Sequence, residues 1–416
     1  MTSLAVTGAR LDDETVTLRV EDGLIAELGR EVGPRDGDER IDAAGAALIP
    51  GLVNGHTHAA MTLFRGYGDD LPLMQWLQEK IWPLEARLEP EDVYWGTRLA
   101  CLEMIRSGTV RFWDMYWHPD AAAQAVEDAG LRATVAPPLI DAERGLGSLR
   151  EDALRSLDDL AARGDRIASA LAPHSIYTVS EEGLGWIAEV AGERELPVQI
   201  HLSETEAEVS DCVHEGGRRP AHYLDRLGLL GPRTLLAHGV WLDESELELI
   251  AERGATIVTN PVANLKLAVG RVFPYRAARE AGVRVGLGTD GPGSNNSLDM
   301  FADLKTFALL QKNEAGDPAA VTAEEVWEIA TGRRAPLLGS SGVLAPGEPA
   351  DFLLLAADAP QLSLGELTAD LVYAAPAAAV ETSVVAGQVL MRGGVVEGAG
   401  EVVAKTVERA RRLGLA

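Results

Sequence analysis

A chain of 416 residues, 46% hydrophobic and 24% charged, carries enough apolar material for one large domain with an appendage. Its 64 acidic residues against 37 basic ones leave a net charge of −27, which repels phosphate backbones and anionic lipid. That balance argues against a nucleic-acid or membrane partner and fits an acidic, soluble surface.

From Ser3 to Glu31 short apolar segments alternate with turn residues (LAVTGARL, VTLRVEDGLIAELG), which predicts small antiparallel strands. The same texture returns after Gly342, in GVLAPGEPADFLLLAADAP and TSVVAGQVLMRGGVVEGAG. The two ends, 1–48 and 343–416, are therefore expected to build one β-rich domain, a small sandwich. Between them, over 49–342, apolar runs are each followed by a stretch of helical periodicity, the pattern of repeated βα units. Eight such runs occur: Ala47–Val53, Thr109–Asp114, Ala133–Pro137, Ile167–Ala172, Val198–Leu202, Thr234–Ala237, Thr256–Thr259 and Val283–Thr289. Eight parallel strands is the number that closes a (β/α)₈ TIM barrel, so the fold class is α/β. The rival, an open doubly wound sheet, lacks a GxGxxG after its first strand.

Five of the eight histidines, His56, His58, His174, His201 and His238, fall at or just beyond the C-terminal end of a predicted strand, and Asp290 follows the eighth run. Catalytic groups of such barrels gather on that face. His56 and His58 stand two apart on an extended chain, so both imidazoles point the same way. With His201 and Asp290 they make three nitrogen ligands and one carboxylate, a set for one divalent ion, zinc before iron or manganese. Such an ion lowers the pKa of a bound water from ~16 toward ~7. Asp290 holds the ion and accepts a proton. Glu204, three residues after His201 in HLSET, is placed to protonate a ring nitrogen, as the non-ligand Glu of other zinc deaminases does. His238, in LAHGVWL, is placed to orient the attacking water.

The segments PGLVNGHTHAAMTLFRGYGDDLPLMQWLQEKIWPLEARL, APHSIYTVS, QIHLSETEAEV, LAHGVWL, NPVANLKLAVG and GTDGPGSNNSLDMF together resemble the amidohydrolase superfamily, and within it the methylthioadenosine/S-adenosylhomocysteine deaminase branch. The resemblance runs from about Leu4 to Gly394. It implies the barrel with its composite sandwich, metal on His56, His58, His201 and Asp290, and Glu204 and His238 beside the attacked carbon. It also implies that Glu85, in WPLEARL, and His174 contact the substrate through ribose hydroxyls. Arginines beyond the third strand are expected to grip the carboxylate of S-adenosylhomocysteine; here Pro137 stands near one such place, leaving Arg150, with Arg144 nearby, as the candidate. The expected reaction is hydrolytic deamination of adenosine, 5'-methylthioadenosine or S-adenosylhomocysteine to the inosine analogue and ammonia.

Rival readings are a related hydrolase of guanine, cytosine or a triazine, and an inactive barrel scaffold. Glu204 favours a heterocycle that needs ring protonation, and the complete ligand set argues against a scaffold. Cys101 and Cys212 are too few for a disulfide framework and are expected as buried thiols. Met1 to Arg10 lacks a secretory pattern, so the cytoplasm is the expected location. His118, His214 and His222 lack ligand spacing and are assigned no role. The Gly-rich GTDGPGSNNS lacks a P-loop lysine and reads as the turn presenting Asp290. The stretch Met74 to Trp82 is apolar enough to cover the active site or to meet a second copy in a homo-oligomer.

Overall fold

In the computed structural model, residues 3–142 and 144–415 are described. The hairpin texture of both chain ends becomes one mixed sheet of eight strands. Its order is Gln388–Met391, Val380–Val385, Phe352–Leu355, Ala47–Pro50, Ser3–Leu11, Glu14–Glu21 and Leu24–Gly29, with Glu39–Asp42 alongside Ser3–Leu11. The strand Phe352–Leu355 is fully buried, and its side chains alternate between two cores. Phe352 and Leu354 pack with Leu18, Ile25 and Val384 on one face, and Leu353 and Leu355 join the large central core on the other. Each such leucine contributes about 1.5–3 kcal/mol by leaving water.

The first predicted run, Ala47–Val53, is two strands. Ala47–Pro50 pairs antiparallel with Phe352–Leu355, whereas Leu52–Thr57 pairs in parallel with Thr109–Met115. Gly51 divides them because the backbone passes directly over Val110, and a Cβ there would stand 2.3 Å from its Cγ1. The third and fourth runs also divide, into Arg132–Ala136 with Pro138–Leu139 and Ile167–Ser169 with Ala172–Pro173. Pro137 lies between the first two of these, where a proline cannot donate to a ladder.

Leu52–Thr57, Thr109–Met115, Arg132–Ala136 and Ile167–Ser169 form one parallel sheet, and Val198–Leu202, Thr234–His238, Thr256–Thr259 and Arg284–Leu287 form another. Single bridges, Leu171 to Val198 and Ser175 to His201, join them on one side. On the other, Asp290 N donates to His56 O at 3.0 Å. Val53, Trp113, Met115 and Ala136 from the first sheet pack with Leu235 and Val258 from the second in one buried cluster.

A helix not anticipated from the sequence, Ala399–Leu413, ends the described chain and packs on the helix Pro90–Arg106. Its Arg409 Nε donates to Asp92 Oδ1 at 2.7 Å, with Glu89 and Glu91 completing the cluster. Cys101 is buried as expected, but Cys212 is half-buried. Its helix, Glu206–Gly216, is charged around most of its circumference and buries only Glu208 and Val209. Among the described residues no helix is long and apolar enough to cross a membrane.

Candidate metal centre and active site

Four donor atoms from three distant parts of the chain converge. His56, inside the strand Leu52–Thr57, places Nε2 3.2 Å from His201 Nε2 and 3.5 Å from Asp290 Oδ1. His58, just past that strand, places Nε2 3.3 Å from His201 Nε2 and 3.2 Å from Asp290 Oδ1. His58 Nδ1 lies 2.6 Å from Met115 O and His201 Nδ1 2.7 Å from His174 O. A carbonyl only accepts, so each ring donates from Nδ1 and turns its Nε2 lone pair toward the other. Neutral rings so arranged repel unless a cation lies between them. Donors bonded at about 2.0–2.1 Å in a tetrahedron stand about 3.3 Å apart, so the observed spacing fits a divalent ion of that kind.

The backbone around these donors is laced tightly. Thr289 N donates to Asn54 Oδ1 at 3.0 Å, Asn54 Nδ2 to Thr289 Oγ1 at 2.7 Å, and Thr57 Oγ1 to Asp290 O at 2.9 Å. Gly288 makes the approach possible, because a Cβ there would stand 2.8 Å from both His56 N and His56 O. Ser294 Oγ donates to Asp290 Oδ2 at 2.6 Å and leaves Oδ1 to the histidines. Ser203, His238 and Asp290 have φ of 52°, 75° and 59°, left-handed values that cost about 1–3 kcal/mol at a residue other than glycine. All three lie at ends of the parallel strands, where the chain turns side chains into the site.

Glu204 and His238 sit beside the donor set, and Glu204 Oε1 is 3.8 Å from His238 Nδ1. Burial, reinforced by the Asp290 charge, pushes the Glu204 carboxyl up to about 8. His238 is also buried, which lowers its pKa, and its Nδ1 lies 2.9 Å from Asn264 Oδ1. His174 is driven down to about 3 by burial and then by the neighbouring imidazoles; its ring centroid is 4.8 Å from that of His201.

These groups open onto a cleft of about 1100 Å³. Glu85 and His174 line it, as the resemblance implied. Glu85 comes at the end of a short helical segment broken by one π-helical turn, Leu77–Ile81, and burial raises its carboxyl against the opposing influence of Trp117 and Tyr116. Met74, Trp76, Leu77 and Trp82 form an apolar wall of the cleft. Arg150 does not line it. The guanidinium lies 5.5 Å over the Trp186 ring, on the side of the helix Gly145–Ala161 that faces the next helix, and 3.8 Å from Glu182. Arg144 and Arg155 line the cleft instead, and both pair with Asp152. His118, given no role by its spacing, stands at the cleft as well. Asn264, Ser294 and Tyr116 also went unseen in the sequence, where nothing in their spacing distinguishes them from packing residues.

The sequence profile of the Amidohydrolase family matches residues 47–390. The chain belongs to the amidohydrolase family. Within that family, it is 47% identical to a 5'-deoxyadenosine deaminase of Methanoregula boonei over 94% of this chain and 90% of the relative. Identity is 43% to 5-methylthioadenosine/S-adenosylhomocysteine deaminase 1 of Archaeoglobus fulgidus, over 95% and 94% of the two chains. A crystal structure of an adenosine deaminase from Xanthomonas campestris with bound zinc superposes with a TM-score of 0.91 at 34% identity, covering 100% of this chain and 99% of the other. This amidohydrolase therefore shares its whole length with deaminases of adenosine-type nucleosides.

Proposed function

We propose that this amidohydrolase is a metal-dependent deaminase of 6-aminopurine nucleosides, converting the amino-bearing carbon to a carbonyl with release of ammonia. The observation that carries the reading is the buried Glu204 carboxyl beside His238 and the four-donor centre, in surroundings whose burial raises its pKa. His56, His58, His201 and Asp290 hold the ion, with zinc as the resident metal. Bound there, a divalent ion makes a nucleophile of water at neutral pH.

The remaining chemistry belongs to side chains. Glu204 gives its proton to the ring nitrogen next to the amino-bearing carbon, which draws electron density from that carbon and opens it to attack. His238, fixed by Asn264, orients the water. Asp290 takes one proton from the water and delivers it to the amino group, which leaves as ammonia, and the second water proton, lost as the carbonyl forms, restores the Glu204 carboxyl. Glu85 and His174 hold the ribose hydroxyls, and the apolar wall from Met74 to Trp82 receives the 5' substituent. With Arg144 and Arg155 already engaged by Asp152, an uncharged 5' substituent is the better fit, so 5'-deoxyadenosine and 5'-methylthioadenosine rank above S-adenosylhomocysteine.

The reading carries an architecture with it. The eight parallel strands of 49–342 close into a barrel, 1–48 and 343–416 form the attached β-rich domain built on the eight-stranded mixed sheet, and the enzyme works in the cytoplasm as a homo-oligomer.

The test is ammonia release from metal-replete protein offered 5'-deoxyadenosine, 5'-methylthioadenosine, adenosine, S-adenosylhomocysteine, guanine and cytosine. Turnover of the uncharged nucleosides is expected. Turnover of a free base alone would move the enzyme to another branch of the family.

A further inference from the structure

Glu204 follows immediately on a residue in the left-handed region, Ser203, which is 0% exposed. Something must hold that turn, because a serine released from it relaxes to ordinary backbone and swings the next side chain with it. Three contacts hold the turn from different directions. Trp241 N donates to Ser203 O at 2.8 Å, and Gly239 N donates to Leu202 O at 3.0 Å; both come from the segment that follows His238. The third comes from a side chain. Glu208, in the first turn of the helix Glu206–Gly216, folds back so that Oε1 accepts from Ser203 N at 2.7 Å and Oε2 from Glu204 N at 2.9 Å.

Glu208 is 7% exposed, and its backbone N is in turn fixed by Thr205 Oγ1 at 3.2 Å. The carboxyl therefore uses both oxygens on the two amide N–H groups that flank the Ser203 Cα, the second of them belonging to the Ser203–Glu204 peptide. A helix cap alone does not ask for this: Thr205 already serves as the N-cap, and a cap needs no buried carboxyl reaching two residues before the helix. The hydrogen bonds tie the helix to the strand end at the one peptide whose rotation would carry the Glu204 carboxyl away from His238.

We infer that Glu208 is a positioning residue for the proton donor, clamping the Ser203–Glu204 peptide so that the Glu204 carboxyl is presented to the substrate ring. It touches neither substrate nor metal ligands. The inference rests on the deaminase reading and the role given there to Glu204.

The experiment is a double-mutant cycle on the metal-loaded enzyme with 5'-deoxyadenosine. Glu208→Gln replaces one acceptor oxygen by an NH₂ group that faces a backbone N–H, so one of the two bonds is lost and the peptide is pushed out of place. Its kcat is expected to fall roughly thirtyfold to a hundredfold while KM stays within about threefold and metal content is unchanged. In the Glu204→Gln background the same substitution is expected to change kcat by less than about threefold, because the group it positions is already gone. Glu208→Asp keeps the carboxyl but reaches less far, and gives an intermediate loss with the same non-additivity, so it serves if the Gln variant does not fold. Losses that multiply across the two sites, or a Glu208 variant with unchanged kcat, overturn the inference while leaving the reaction in place. Wild-type enzyme that releases no ammonia from any nucleoside overturns the reaction itself, and the inference with it.

Discussion

His238 Nδ1 meets Asn264 Oδ1 at 2.9 Å, from a short helix, Pro261–Lys266, that follows the next strand. Asn260 Nδ2 also lies 3.3 Å from Nδ1, but the shorter contact is to an amide oxygen, which only accepts, and it favours the imidazole proton on Nδ1 with the other ring nitrogen basic. Asn264→Ala is expected to lower kcat about tenfold with metal content intact, since the ring loses its tautomer and its orientation but not its place. Steady-state kinetics beside metal analysis check it, and loss of metal in this variant would argue that Asn264 supports the fold instead.

Removing the proton donor separates chemistry from binding. Glu204→Gln is expected to keep fold and metal and to lose about 10²–10⁴ in kcat. Because burial raises this carboxyl to about 8, the wild-type enzyme is expected to work with Glu204 protonated and to lose activity as pH rises through that value. The variant should lack this alkaline limb. A pH profile of kcat/KM for both proteins reads the difference directly.

His56→Ala removes one donor from the centre of the cluster and leaves His238, one of whose ring nitrogens lies within 4.8 Å of the His56 and His201 donors, beside an incomplete set. The metal content of the purified variant is expected to fall well below one ion per chain, with activity lost in proportion. A chelator should bring wild-type enzyme to the same state, and added zinc should restore only the wild type. Retained stoichiometric metal in His56→Ala would place the ion elsewhere.

The last helix is held by charge. Asp92 is 0% exposed and faces Arg409 and Arg412, so Arg409→Ala leaves a buried carboxylate with one partner fewer and is expected to cost about 2–4 kcal/mol. Burial alone would raise Asp92, but the two guanidiniums outweigh it and hold its pKa below the usual value. The stability this adds is fully present above the unfolded value, about 4, and is lost as pH falls through the lower folded value. Denaturant titrations at neutral pH and at low pH should therefore differ less for Arg409→Ala than for the wild type.

The four proposed metal donors were legible in the sequence because each is a histidine or aspartate at the end of an apolar run, a position expected to face one rim of a barrel. Glu204 was legible for the same reason, being three residues from His201. Arg150 was misplaced because spacing along a helix does not say which neighbour claims a guanidinium; Trp186 and Glu182, on the next helix, lie more than 30 residues away in sequence. The break at Gly51 was marked by the Pro50–Gly51 dipeptide, a turn signal, but the runs on either side are equally apolar and read as one strand. The final helix, Ala399–Leu413, buries one stripe at helical spacing, Val402, Thr406, Arg409 and Leu413, but only two of those four are apolar, which left the pattern faint in the sequence. Glu208 could have been found: an acid four residues beyond Glu204 returns on the same side of a helix start, a spacing that HLSETEAE displays.

The pairing of Ala47–Pro50 with Phe352–Leu355 also sets a schedule for the ribosome. The strand that leads into His56 has its neighbour on one side almost at once, in Ser3–Leu11, and waits for the other until about 300 residues later have been made. At about 5–20 residues per second that interval is roughly 15–60 s. During it the nascent chain presents an apolar strand edge whose partner has not yet been synthesised, the kind of edge that invites pairing with another chain until Phe352–Leu355 covers it.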